Sequence, residues 1–263
     1  MDFIYLAMLF LGAGIAGLVY YRYAPTAVDL RERLPNRVTP AGIVLAVAIG
    51  SAAWFLFSSV SGVVLVGRIF LFIFSLLFFE SIFLLAMRWI SRNTFATVVA
   101  ILSTLGMFWW YQAKPSFVLL NFIIIISTLG AVTLLTRLGY LRTKILFAIS
   151  ILWTIYDILL VRFILPDVTR ETATPHPTFL YPAVTTGRVS LGSGDFMFLS
   201  LFTLVIARDV GPRAALVHVV AQVTGLLVTG LLLPERGFTV PFLVVMTPIF
   251  IVCYVLMRNS GKK

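Results

Sequence analysis

Apolar residues in this chain do not alternate with polar ones; they run in long blocks separated by short polar breaks. Nine blocks stand out, at 3–22, 41–58, 63–89, 93–111, 116–137, 142–165, 189–208, 212–233 and 240–258. A helix needs about 20 mostly apolar residues, within a range of about 17–25, to cross a bilayer. The pattern therefore predicts an all-α membrane protein with nine transmembrane helices. Ser58-Ser59-Val60-Ser61-Gly62 divides the second block from the third. Pro115, Pro212 and Pro241 stand just before or inside block starts, where a missing N–H costs least. The sizeable non-apolar stretches are 23–40 and 166–188, and no internal repeat is visible. The expected organisation is a six-helix scaffold over 1–165, a loop over 166–188 and a three-helix part over 189–263.

Composition agrees with this reading. Only 11% of the 263 residues are charged, 60% are hydrophobic, and the mean hydropathy is +1.05. Soluble domains carry about 25% charged residues, so a soluble domain and a disordered chain are both excluded. A single cysteine, Cys253, rules out an internal disulfide and a cysteine-based metal cluster. The net charge of +10 does not indicate nucleic acid, because the longest basic run is the terminal Lys262-Lys263. Basic residues are instead sided. Fourteen fall on the side of the first inter-helix connection and four (Lys114, Arg170, Arg188 and Arg236) on the other. That asymmetry predicts an outside N-terminus and a cytoplasmic C-terminus. Met1-Asp2-Phe3 lacks the basic start of a cleaved signal peptide, so the first block is expected to be a retained helix.

Three acidic residues fall inside blocks: Glu80, Asp157 and Asp195. Each costs roughly 2.5–3.5 kcal/mol at a helix centre and marks a candidate functional site. Asp157 lies nine residues before Pro166, about 13 Å deep at the helical rise. Asp195 lies seven residues after Arg188, about 10 Å deep by the same rise. Neighbouring antiparallel helices would bring the two carboxyls to one level. Two such carboxyls cannot both ionise, so one accepts a proton from water while the other donates one to a carbonyl oxygen. This is the acid–base pairing of an aspartic protease.

The neighbouring residues are Tyr156-Asp157 in the sixth block, Gly192-Ser193-Gly194-Asp195-Phe196 opening the seventh, and Pro241-Phe242-Leu243 at the head of the ninth. Together they resemble the presenilin and signal peptide peptidase family of nine-helix intramembrane aspartyl proteases. The resemblance implies a presenilin-like fold with Asp157 and Asp195 as the catalytic pair. It implies that Tyr156, Gly192, Gly194, Pro241, Phe242 and Leu243 support the site or bind substrate. The implied substrates are transmembrane or signal-peptide helices in a cell membrane, with no metal or organic cofactor; a homo-oligomer is compatible with it. The short loop 166–188 is similar to that of compact microbial homologues, and the predicted orientation to that of signal peptide peptidase. One departure is clear: the family has Pro-Ala-Leu where this chain has the much bulkier Phe242.

A helical substrate hides its amides and must unwind to be hydrolysed. Val184-Thr185-Thr186 and Arg188-Val189-Ser190 are β-branched segments suited to pair with an unwound strand. The rival reading is a proton-coupled transporter using Glu80, Asp157 and Asp195 as a relay. Against it, the sequence has no inverted repeat. A serine protease built on Ser193 and His218 is disfavoured by Leu191, where a rhomboid-type motif needs glycine. His218 is expected to be a packed helix residue. No His-Glu-x-x-His zinc motif occurs.

Overall fold

A computed structural model of the chain describes residues 2–24, 63–90, 93–138, 142–159, 183–185, 190–232 and 242–260. Among the described residues there are eight helices and two short strands. The helices are α1 (Asp2–Tyr23), α2 (Val63–Trp89), α3 (Asn93–Ala113), α4 (Phe117–Arg137), α5 (Thr143–Leu159), α6 (Ser193–Asp209), α7 (Pro212–Leu232) and α8 (Leu243–Ser260). The strands are β1 (Ala183–Thr185) and β2 (Ser190–Gly192), paired in one two-stranded sheet. The predicted second block, 41–58, lies outside the described residues, as do 160–165 and Pro241.

Most helices fall where the apolar blocks place them. The seventh block is the exception. It was expected to be helical from residue 189, yet Ser190–Gly192 is a strand and the helix starts only at Ser193. Asp195 consequently stands in the first turn of α6, and its depth cannot be counted by helical rise from Arg188. Glycine explains the shift, since Gly192 and Gly194 make helix propagation costly at this end.

Among the described residues five helices are long and apolar enough to cross a membrane by themselves: Ile4–Tyr23, Phe70–Trp89, Asn93–Ala113, Phe117–Arg137 and Pro212–Leu231. Large apolar side chains stand exposed on them and their neighbours, including Leu231 at 84%, Val118 at 69% and Leu152 at 70%. Water would not tolerate such faces, whereas lipid does. The chain is an integral membrane protein.

The structure divides into two compact units: Met1–Arg22, Leu141–His176 and Val184–Lys263 form one, and Tyr23–Tyr140 with Pro177–Ala183 form the other. In the second unit α2 packs on both α3 and α4. At Ser81 it meets α4 closely, and the hydroxyl enters the backbone ladder of that helix. Ser81 Oγ donates to the Ile126 carbonyl at 2.7 Å and accepts the Gly130 N–H at 3.0 Å. Ser127 Oγ donates back to the Phe74 carbonyl at 3.1 Å.

In the first unit α6 is the central helix. Phe196 and the whole run Phe198–Ile206 are buried, so it meets protein on every side. It packs on α7 and α8, and α8 packs in turn on α5 and α7. Phe202 stacks on Phe250 with ring centroids 4.1 Å apart. At one end, Asp209 ties three helices together beyond the predicted apolar block. It accepts hydrogen bonds from Thr143 at the start of α5, from Arg208 Nε at 2.7 Å and from the Tyr254 hydroxyl of α8 at 3.0 Å. Burial pushes the Asp209 carboxyl up, but these hydrogen bonds and the Arg208 charge outweigh it and hold the carboxyl below its usual range.

Two outcomes are expected. A Cβ at Gly130 would overlap Ser81 Oγ and come within 2.6 Å of the Ser81 Cα, whereas one at Gly106 meets nothing within 4 Å. Gly130→Ala should therefore lower the detergent melting temperature, at an overpacking cost of about 1–3 kcal/mol or more. Gly106→Ala should leave it unchanged or raise it, by up to about 1 kcal/mol. Because the folded Asp209 carboxyl titrates below its unfolded value, its stabilisation is complete above about pH 4 and disappears as pH falls through the folded value. Melting curves over that range should show wild type losing more stability on acidification than Asp209→Asn.

Candidate functional site

Asp195 is placed by the strand-to-helix junction. Gly192 caps α6 with φ −58° and ψ 146°, an extended conformation open to any residue. Asp195 is the third residue of the helix, and its carboxyl accepts the backbone N–H of Gly192. That contact is the returning half of a capping box, in which the third helical side chain satisfies the cap N–H. The carboxyl thus lies at the positive end of the α6 dipole. A Cβ on Gly192 would meet Asp195 Oδ2 at an ordinary 3.5 Å, and one on Gly194 would meet nothing within 4 Å. Neither glycine is demanded by its own backbone or by the described neighbours.

Asp157 is placed by a different helix end. It lies in the last turn of α5, and its carboxyl accepts the backbone N–H of Leu243, the first residue of α8. The first N–H groups of a helix have no partner inside it, so Asp157 caps α8 from across the interface. Its other oxygen, Oδ2, is buried and has no hydrogen-bond partner among the described residues. The charge of Asp157 acts directly on Asp195, so the two carboxyls are electrostatic neighbours. Four residues before Asp157, Trp153 meets Phe198, three residues after Asp195, at 5.9 Å between ring centroids.

Of the other predicted residues, Leu243 is brought to Asp157 through its backbone. Phe242, expected to support the site or bind substrate, is buried in an aromatic cluster. Its ring packs edge-on against Phe10 of α1 at 5.7 Å, and Phe10 packs edge-on against Phe196 at 5.2 Å. The extra bulk relative to alanine is taken up by Phe10, and the Phe242 carbonyl still starts α8 by accepting from Val245 and Met246. Tyr156 is 37% exposed and lies against Trp153 rather than between the acids. Glu80 belongs to the second unit, and its Oε1 is buried with no hydrogen-bond partner among the described residues. His218 is fully buried, as expected for a packed residue. Segments 183–185 and 190–192 are indeed extended, but they pair with each other; Thr186, Arg188 and Val189 lie outside the described residues. Among the described residues no three His, Cys, Asp or Glu side chains converge as metal ligands would.

Sequence reading did not find Thr154 and Thr247. Their hydroxyls lie 2.9 Å apart, one turn below the Asp157–Leu243 contact. The available signal was polar residues in apolar blocks, which is weak for threonine because its hydroxyl can bond its own helix.

No protein-family model matches this sequence, and no curated protein is significantly similar to it in sequence. Among solved structures, that of a presenilin family intramembrane aspartate protease is similar, with a TM-score of 0.66. The match covers 99% of this chain and 100% of the other, at 12% sequence identity. The fold is therefore presenilin-like, a likeness of backbone arrangement across almost the full length.

Proposed function

We propose that this membrane protein is an intramembrane aspartyl endopeptidase that hydrolyses transmembrane or signal-peptide helices between Asp157 and Asp195. The observation that carries this reading is the pair itself. Two carboxyls on separate helices are within electrostatic reach inside an apolar chain, and each is anchored by one backbone N–H. Similarity of fold to an intramembrane aspartate protease adds support.

Chemically, the pair shares a single proton. The ionised member takes a proton from water, whose oxygen attacks the scissile carbonyl carbon. The protonated member gives its proton to the carbonyl oxygen, producing a neutral tetrahedral gem-diol. Breakdown returns one hydroxyl proton to a carboxylate, the C–N bond breaks, and the other acid protonates the leaving amine. Asp157 Oδ2, buried without a partner among the described residues, is the oxygen suited to the water. No step needs a metal or organic cofactor.

The substrate must be extended at the cleaved bond. Among the described residues β2 pairs with β1 on one edge, and it ends at Gly192, so an unwound segment added along its other edge would lead toward Asp195. Open space beside Gly194 suits the close passage of such a strand. We read the whole chain as nine spans with the N-terminus outside and the C-terminus cytoplasmic, on the charge asymmetry of its loops.

The test is cleavage of a model transmembrane peptide by purified protein in detergent. Asp157→Asn and Asp195→Ala should each reduce cleavage to background while keeping the wild-type melting temperature or raising it. Cleavage near the wild-type rate in Asp195→Ala would overturn the assignment. Gly194→Val should melt like wild type yet raise KM by about ten-fold, because the added methyls fill space reserved for substrate; an unchanged KM would remove Gly194 from the substrate path.

A further inference from the structure

Behind the two acids, buried polar side chains of α6, α7 and α8 and the half-buried Thr154 of α5 are joined into one chain of contacts. On α6, Thr203 stands two turns beyond Asp195, and its hydroxyl lies 3.3 Å from His218 Nδ1 of α7. His218 Nε2 lies 2.9 Å from Gln222 Nε2, one turn along α7. The same Gln222 nitrogen donates to the Met246 carbonyl of α8 at 2.9 Å. The next residue, Thr247, meets Thr154 of α5 at 2.9 Å, and Thr154 Oγ1 is also 3.4 Å from the Leu243 carbonyl. Leu243 then gives its N–H to Asp157. The path runs from the helix of one acid, around through α7 and α8, to the helix of the other.

Donor accounting gives this path a direction. A carbonyl only accepts, so the Gln222 amide must turn its NH2 toward Met246, and that NH2 also faces His218. His218 Nε2 therefore accepts, and the ring hydrogen sits on Nδ1, pointing at Thr203. Thr203, His218 and Gln222 are fully buried and Thr247 is 4% exposed, so water offers none of them an alternative. Polar groups at such positions are costly unless they bond one another. Direct packing between α5 and α6 is slight by comparison with the grip of α8 on both α5 and α6, apart from the Trp153–Phe198 contact.

We propose that Thr154, Thr247, Gln222 and His218 are positioning residues, a polar belt that holds α8 in register and so sets the separation of Asp157 from Asp195. The proposal rests on the protease reading and specifies which residues outside the acid pair make it work. Loss of a hydroxyl in the belt lets α8 slide against α5, and the Leu243 N–H no longer meets Asp157. Chemistry then slows while substrate capture does not, since misplacement of about 1 Å lowers turnover by up to about 100-fold.

The experiment uses the purified full-length protein and the model transmembrane peptide. Thr154→Val and Thr247→Val should each lower kcat by about 10–100-fold, with KM within about two-fold of wild type and melting nearly unchanged. The double variant should be no slower than either single one, because both remove the same contact. Thr247→Ser, which keeps the hydroxyl, should restore most of kcat. Gln222→Leu should behave like Thr247→Val. Thr224→Val is the control, because the exposed Thr224 bonds, among the described residues, only the Val220 carbonyl of its own helix. Asp195-dependent cleavage with kcat unchanged in Thr154→Val and Thr247→Val, or a lowered melting temperature with kcat unchanged, would overturn the belt alone. Absence of Asp195-dependent cleavage by wild type would overturn the protease reading and the belt with it.

Discussion

A carboxyl inside a bilayer has no water shell to draw on, so the chain itself must supply its hydrogen bonds. This protein meets that demand with helix ends. The first N–H groups of a helix have no internal partner, and Asp195 takes one from the cap of its own helix while Asp157 takes one from the start of α8. A polar cost of placing acids in lipid and a polar cost of starting helices in lipid offset each other.

The three fastenings of the first unit differ in kind. At one end, Asp209 gathers α5, α6 and α8 through Thr143, Arg208 and Tyr254. In the middle, stacked Phe202 and Phe250 fill the space between α6 and α8 with a contact that is strong but has little register of its own. Nearest the acids, hydroxyl and amide groups set the register, because a hydrogen bond weakens steeply with distance and angle. Interhelical hydrogen bonds of this kind contribute about 0.6 kcal/mol each on average in membranes. Their importance is geometric more than energetic.

Phe242 stands in the middle of the Pro-x-Leu element, whose last residue, Leu243, meets Asp157 through its backbone. The middle side chain packs against the Phe10 ring, which in turn packs against Phe196. A bulkier residue there asks only that α1 offer a complementary surface.

Block length and polarity determined a good deal without any coordinates: an integral membrane chain, most helix positions, and Glu80, Asp157 and Asp195 as acids out of place in apolar blocks. That much is legible because the bilayer imposes one length scale and one penalty on every helix alike. The late start of α6 was not legible, since Ser190-Leu191-Gly192 is apolar enough to continue a span; the glycines weaken a helix there, but it takes pairing with Ala183–Thr185 to make the segment a strand. Nor was the partnership of Asp157 with Leu243, or of Thr154 with Thr247, residues 86 and 93 positions apart. Contacts between distant helices depend on rotation about each axis, and a uniformly apolar helix surface carries almost no record of which face turns inward. Tertiary packing decided that, and with it which polar groups stand beside the acids.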